Sequence, residues 1–370
     1  MSITPLVQFG TSRFLQAHAD LFVSEALQRG NALGPITVVQ SSGDRSRSGR
    51  LAALAAKDGF EIRIKGVDQG RLVDREIRVS SVSRALSLPH DLEIVNEIVS
   101  GEARIILSNT ADAGFRPSEA DSQRQYSQDM SYPAKLTWLL FRRFSDHGEP
   151  IQIMPTELVP QNGAVLRELV IGIAECYPAE FRRWLETDVI WVNSLVDRIV
   201  SEPLEPAGAV AEPYALWAIE DQPGLVLPCT HPSVRVVADL EQVETLKLFI
   251  LNLGHTYLVS RWMNNEVPEH EFVRDMLDDQ AVAADLEDVY AREVIPGFQL
   301  HGREAEAEAY VKTTLDRFRN PFLDHRLSDI AQNHRDKVNR RIASFLSWSR
   351  QENPDFSAPR LEAIVEKTAS

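Results

Sequence analysis

Short apolar runs alternate with helix-patterned stretches through the first 110 residues, and this alternation constrains the fold more than any other feature of the chain. PLVQFG (5–10) reads as a buried strand, RFLQAHADLFVSEALQRG (13–30) as a helix stopped by Gly30, and ITVVQ (36–40) as a second strand. RSGRLAALAAKDG (47–59) predicts a helix, and EIRIKGV (61–67) with LVDREIRVSSV (72–82) a hairpin. DLEIVNEIVS (91–100) is helical, and ARIILSNT (103–110) is a third long apolar strand. Strands feeding helices in this rhythm predict an α/β, doubly wound sheet that takes its ligand at the carboxyl edge. The pattern continues through KLTWLLFRRF (135–144), PIQIMPTEL (150–158), AVLRELVIGIAECY (164–177), VIWVNSLVDRIV (189–200) and ALWAIE (215–220), with the Pro- and Ala-rich 201–213 as a loop. After about residue 238 helix follows helix with almost no strand signal. That shift divides the chain into 1–237, a dinucleotide-type domain, and 238–370, a mostly α-helical substrate and catalytic domain, with 351–370 as a partly ordered tail.

One helix in the second part breaks the usual rule for buried segments. KLFILNLGHTYLVSRW (247–262) is apolar almost throughout, yet it carries Lys247, Asn252 and His255. At about 100° per residue, the apolar stripe of Phe249, Ile250, Leu253 and Tyr257 lies opposite Lys247. His255 falls about 80° and Asn252 about 140° from Lys247, so the three share the other face. That face is interleaved with Leu248, Leu251 and Gly254 rather than with charges, which predicts a helix buried nearly all round. Buried polar groups need partners or a ligand. A lysine in an apolar setting is suited to proton transfer, and Asn and His can donate hydrogen bonds to an oxygen gaining negative charge.

Charge excludes one class of partner. The chain of 370 residues has 39 basic and 54 acidic residues, a net charge of −15, and no cluster of Lys and Arg interleaved with aromatics. Such a surface repels polyanions, so nucleic acid is not expected, while a small anion needs only a local positive pocket. MSITPLVQFG lacks the basic and long apolar regions of a signal peptide, and no apolar run is long enough to span a bilayer. Cys176 and Cys229 form no close motif, which fits a reducing cytoplasm. The histidines show neither HxxxH nor HExxH spacing, so no metal is expected.

The ends of the predicted strands carry the remaining candidates. QFGTSRFLQAH sets Gly10, Thr11, Ser12, Arg13 and Phe14 in a strand–turn–helix, where a dinucleotide phosphate would meet a helix N-terminus. Gly10 is its sole glycine, so the turn is not GxGxxG. The second strand ends in Gln40 rather than in an acid. Asp44 could accept ribose hydroxyls, while Arg45, Arg47 and Arg50 would suit a 2′-phosphate, leaving NAD and NADP both open. SNTADAG (108–114) puts Asn109 and Thr110 at the end of the third strand. In VPQNG, Asn162 reads as a helix-start residue or a substrate contact, and VDR places Asp197 beside Arg198 after an apolar strand.

The K-x4-N-x2-H spacing of Lys247, Asn252 and His255 resembles the signature of the mannitol dehydrogenase family of polyol-specific long-chain dehydrogenases. The likeness extends over VQFGTSRFLQAH, SNTADAG, YPAKLT, PTELVPQNG, NSLVDRI, EPYALWAIE, KLFILNLGHT and DRFRNPFLDHRLSDIAQNHRDK, and is nearest to the family's tagaturonate reductase branch. The chain departs from the family in having only Gly10 at the first turn and Thr156 where a cysteine is usual; its shorter length implies missing substrate loops. The resemblance implies a Rossmann-like domain, then a helical one, and a metal-independent hydride transfer between NAD(H) and a sugar-derived ketone or secondary alcohol. In that reading Lys247 is the general acid or base, Asn252 stabilises the alkoxide and His255 orients the carbonyl. Asp197, Lys337 and His334, with Asn333 and Arg341, match segments that meet the substrate, and the basic groups favour a sugar acid. The tagaturonate reductase branch has a similar Gln-ended strand and uses NAD, with Gln40 or Ser41 placed to bond the ribose hydroxyls. A Schiff-base lyase built on Lys247, or a nucleotide-binding regulator without turnover, would also fit a buried lysine or the fold alone.

Overall fold

The computed structural model describes residues 3–44, 48–110, 114–264 and 270–369, which fall into two compact units. The first comprises Met1–Ile64, Arg75–Ala211 and Ala215–Leu240; the second comprises Lys65–Asp74, Glu212–Tyr214 and Glu241–Ser370. Arg45, Arg47 and residues 111–113 of SNTADAG lie outside the described residues.

In chain order the first strands are β1 (Leu6–Phe9), β2 (Ile36–Gln40), β3 (Phe60–Asp68), β4 (Arg71–Val79), β5 (Val82–Ser87), β6 (Ile105–Ser108), β7 (Ile151–Pro155) and β8 (Val189–Trp191). They are followed by β9 (Ser194–Asp197), β10 (Val200–Pro203), β11 (Gly208–Ala211), β12 (Leu216–Glu220) and β13 (Val234–Val237). The main sheet runs β5-β2-β1-β6-β7-β8 with every adjacent pair parallel. The chain thus begins at the centre, winds outward through β2 and β5, and returns to wind the other way through β6, β7 and β8. Such a reversal opens a crevice at the carboxyl ends of the two central strands, here β1 and β6. Helices cover the sheet, so β1, β2, β6 and β7 are buried along their whole length, as expected of a parallel sheet.

Three expectations are corrected. The segment 201–213 is not a loop: it contributes to β10 and β11, and β11 pairs parallel with β3 from Gly208↔Glu61 to Ala211↔Ile64. Its small residues hide a strand because GAVA carries only one β-branched residue, Val210, among Gly and Ala. The helix predicted over 13–30 is two helices, Arg13–Gln16 and Ala19–Gln28. The chain turns at His18, whose buried ring Nε2–H donates to the Leu216 carbonyl at 2.9 Å. The tail also is ordered, forming the helix Pro359–Ala369. The backbone N–H groups of Arg360 and Leu361 at its start bond the Glu293 carboxylate at 3.2 and 3.1 Å.

The second unit is built on three helical rods, each with a π-helical segment in its middle. They are Glu241–Leu246 with Lys247–Asn252 and Leu253–Met263; Gln280–Val289 with Tyr290–Val294 and Ile295–Leu300; and His334–Val338 with Asn339–Ala343 and Ser344–Glu352. Their apolar faces share one core that includes Phe249, Ile250, Leu253, Tyr290, Phe298 and Phe345.

Candidate active site

At the β1–β6 reversal the chain forms a cleft of about 590 Å³. Gly10 makes the turn possible: its φ is +126°, and a Cβ there would lie 2.6 Å from the Asn109 carbonyl oxygen. The next residue but one, Ser12, caps the short helix by accepting from the Leu15 N–H and donates to Asn109 Oδ1 at 3.1 Å. Asn109 Nδ2 in turn donates to Thr156 O and Oγ1, so this side chain braces the ends of β1, β6 and β7. Thr110 is held through its N–H and hydroxyl, at 2.9 and 3.1 Å, by Glu157. Ser108 Oγ bonds the same buried carboxyl, and burial pushes the Glu157 pKa up.

Gly10, Thr11, Ser12, Gln40, Asn109 and Thr110 all line this cleft. Arg13 and Phe14 do not. Arg13 donates to Gly208 O at 3.0 Å and pairs with Glu205 at 2.6 Å, and Phe14 stacks on His18. Gln40 spends its amide on Ser42 and the Asp44 carbonyl, which shapes the turn after β2. Its Oε1 and the Ser41 hydroxyl are buried without a hydrogen-bond partner among the described residues. Orphaned polar atoms in a cleft are what a ligand rich in hydroxyls would satisfy. Sequence reasoning missed Lys135, Ser131 and Tyr132, which also line the cleft from the helix Tyr132–Asp146, as well as Glu157. A lysine inside the amphipathic stretch KLTWLLFRRF was the available signal, and burial lowers its pKa.

Asn162 lies elsewhere in this unit and is fully engaged. Its Nδ2 donates to the carbonyls of Pro155, Glu157 and Ser194, and its Oδ1 accepts from Gly163 N and Ser194 N. The side chain is 1% exposed and clamps the loop after β7. Asp197 is buried at the end of β9, paired in register with Leu216, and Arg198 beside it donates to Ala17 O at 2.7 Å.

In the second unit Lys247 and Asn252 fall inside the first π segment, which corrects the α-helical reading of their face. A π turn bonds residue i to i+5 and advances about 80° per residue, so Lys247 and Asn252 lie about 40° apart instead of about 140°. His255 follows three residues after Asn252 in regular α-helix. The helix is also less enclosed than its apolarity implies: His255 is 7% exposed, but Lys247 and Asn252 are only half-buried.

His255 packs against Phe318 with ring centroids 4.3 Å apart and meets His325 edge-on at 5.1 Å. Burial drives its pKa well down, and the charges of His325, Arg341, Arg317 and Lys337 add to the effect. It is therefore a neutral imidazole, and its Nε2 has no hydrogen-bond partner among the described residues. Arg317 is held by a buried bidentate pair with Glu212, at 3.0 and 2.9 Å, and stacks on Tyr214. Arg341 donates to Thr256 Oγ1 at 3.1 Å and to the Asn252 carbonyl at 3.4 Å, tying the third π segment to the first. Lys337 Nζ donates to Ile330 O at 2.7 Å, and Asn333, with φ of 54°, makes the turn into its helix. His334 bonds Ser260 Oγ and lines a separate cavity of about 320 Å³ with Met263 and Lys367. Among the described residues no cluster of His, Cys, Asp or Glu has the makings of a metal site, and no helix is long and apolar enough to cross a membrane.

Two family models match the chain: the mannitol dehydrogenase Rossmann domain over residues 4–226 and the mannitol dehydrogenase C-terminal domain over 239–365. An altronate oxidoreductase of Bacillus subtilis is 30% identical over 354 residues, covering 89% of this chain and 71% of that protein. One from Cronobacter sakazakii is 31% identical over 366 residues, with 91% and 73% covered. Among solved structures, a substrate-free D-sorbitol dehydrogenase superposes with a TM-score of 0.81 at 20% identity, covering 99% of this chain and 80% of that one. Mannitol 2-dehydrogenase of Pseudomonas fluorescens, solved as a ternary complex with NAD and D-mannitol, gives 0.67 at 17% identity, with 100% and 85% covered.

Proposed function

The chain belongs to the mannitol dehydrogenase family, and from that premise we propose that it is an NAD-dependent oxidoreductase acting on a CH–OH group of a sugar acid. It interconverts a ketouronate and the corresponding aldonate without a metal. The observation that carries this reading is the neutral, unpartnered His255 among cationic groups, on the same helix as Lys247 and Asn252. The names of the relatives at 30% and 31% identity favour a sugar acid over a neutral polyol.

The cofactor fits the cleft in the first unit. The Gly10–Ser12 turn would hold the pyrophosphate, since no side chain projects from Gly10. Gln40 Oε1 and Ser41 Oγ would take ribose hydroxyls. These neutral groups favour NAD over NADP. When bound, the nicotinamide supplies the hydride for reduction and accepts it in oxidation.

The second unit supplies the proton and steadies the oxygen. In ketone reduction Lys247 gives a proton from Nζ to the carbonyl oxygen as the carbon receives hydride; in alcohol oxidation it removes the hydroxyl proton. Asn252 Nδ2–H donates to the same oxygen as its charge grows. His255, in its Nε2–H tautomer, donates the hydrogen bond that orients the carbonyl. Lys337 and Arg341 attract the substrate carboxylate.

Following NADH absorbance with a panel of ketouronates and ketoses tests the reading. Turnover is expected on a ketouronate and is to persist in EDTA; loss of activity on chelation, restored by Zn²⁺ or Mn²⁺, would overturn metal independence. Absence of turnover on every ketone would leave a binding protein. A tenfold kcat/KM preference for NADPH, about 1.4 kcal/mol, would show that the cleft reads a phosphate instead.

A further inference from the structure

The first π segment is held by a contact from the second helical rod. Tyr290, fully buried, donates its hydroxyl to the Ile250 carbonyl at 2.9 Å. In regular α-helix that carbonyl would accept from the N–H of Gly254 four residues on. Here the π turn ends differently: the Leu253 N–H reaches both the Leu248 and the Ile250 carbonyls, and Tyr290 adds a second donor to the Ile250 oxygen. Gly254 makes room: a Cβ there would lie 1.9 Å from the Tyr290 hydroxyl, 3.0 Å from its Cζ and 3.1 Å from Phe318 Cε2. Gly254 has ordinary helical backbone, so its lack of a side chain serves this approach and not a special φ. Tyr290 itself opens the second π segment, and Arg341 of the third bonds the Asn252 carbonyl.

The register matters for the proton-transfer face. In α register, Lys247, His255 and Asn252 spread over about 140°. With the π turn in place, at about 80° per residue, Asn252 comes back to about 40° from Lys247, and the three close into an arc of about 60°. We propose that Tyr290 and Gly254 form a register lock: the tyrosine hydroxyl, admitted by Gly254, bonds the Ile250 carbonyl that the Leu253 N–H shares at the end of the π turn, keeps that turn, and so positions Asn252 beside Lys247 for catalysis. Tyr290 is a positioning residue that acts through the backbone, and the inference rests on the reading of Lys247 and Asn252 given above.

Tyr290→Phe removes the hydroxyl and keeps the ring. With NADH and the best ketouronate, kcat should fall tenfold or more while KM for NADH stays within twofold. The primary deuterium isotope effect on kcat should rise, because the chemical step becomes slower. Gly254→Ala should lose more than this, and Gly254→Ala with Tyr290→Phe should recover part of that loss, since the closest clash is gone. Wild-type kcat and isotope effect in a folded Tyr290→Phe protein would overturn the lock, as would strictly additive losses in the double variant. If both single variants fail to fold, the contact serves the core and the lock is also overturned. Lys247→Ala, assayed in parallel, separates the two levels: near-native turnover there removes the catalytic reading itself, whereas an inactive Lys247→Ala beside a fully active Tyr290→Phe removes only the lock.

Discussion

His255 is the residue at which burial and chemistry meet most plainly. A histidine ringed by cationic groups and largely out of water stays neutral, and a neutral ring can give one N–H to a carbonyl while carrying no charge of its own. The proton itself is assigned to Lys247, which leads to a direct expectation. Lys247→Ala should cost roughly 10²–10⁴ in kcat, the usual worth of a positioned acid or base. NADH affinity, measured by fluorescence titration, should be unchanged, because Lys247 is not among the residues lining the cleft around Gly10. Near-native turnover would remove Lys247 from the mechanism, and a borohydride-trapped adduct on it would point to a Schiff-base lyase. The spacing of Lys247, Asn252 and His255 could be read from the chain, but their relative orientation could not. The Ile250 carbonyl of the π turn accepts a hydroxyl from Tyr290, forty residues away, and no window of local periodicity contains that contact. Arg13 and Phe14 show the opposite limit: they sit in the motif, yet Arg13 bonds Gly208 and Phe14 stacks on His18.

The broken helix pair after β1 shows what local pattern misses at the level of elements. Apolar periodicity runs smoothly over 13–30, but His18 turns inward to reach a carbonyl of β12, and the helix restarts behind it. The strands were legible where β-branched residues cluster, as in ITVVQ, and illegible in GAVA, whose partner β3 lies far back in the chain. The same helix pair carries two buried titratable groups of opposite sign. Burial lowers the His18 pKa to about 3, so the unfolded chain binds more protons and stability falls as pH drops from about 6.5 toward 3. Burial raises the Asp20 pKa to about 8 against the pull of the Gln8 amide. Here the folded state binds more protons between about 4 and 8, so the contribution is complete at low pH and is lost as pH rises through 8. Asp20→Asn keeps the shape and removes the titration. Its Tm should exceed the wild-type value at pH 8 and approach it near pH 4; an equal difference at both values would mean that Asp20 does not carry its proton in the folded protein.

At the scale of the whole molecule, net charge and site charge oppose each other. A surface of net charge −15 repels an anionic substrate at long range. The surroundings of His255 reverse that sign locally, with Arg341, Lys337, Arg317 and His325 all lowering its pKa. Arg317 is already balanced by Glu212, with both side chains almost wholly buried. Lys337 and Arg341 instead donate to neutral carbonyl and hydroxyl oxygens, which leaves their charge uncancelled by those bonds. Burial penalises both cations and pulls both pKa values down, a cost that an incoming carboxylate would offset. This organisation is hard to read from composition, because an acidic chain hides a cationic cluster assembled from residues that lie apart in sequence. It also makes the substrate class testable by charge alone. Lys337→Met keeps much of the stem and removes the cation. It should lower kcat/KM for the ketouronate roughly tenfold to a hundredfold, the range of a lost charge-assisted hydrogen bond. On a neutral ketose of the same carbon skeleton, if it is turned over at all, the same substitution should change kcat/KM by less than threefold. Equal losses on the two substrates would assign Lys337 to the fold of the helix His334–Val338, and the carboxylate would have to be received elsewhere.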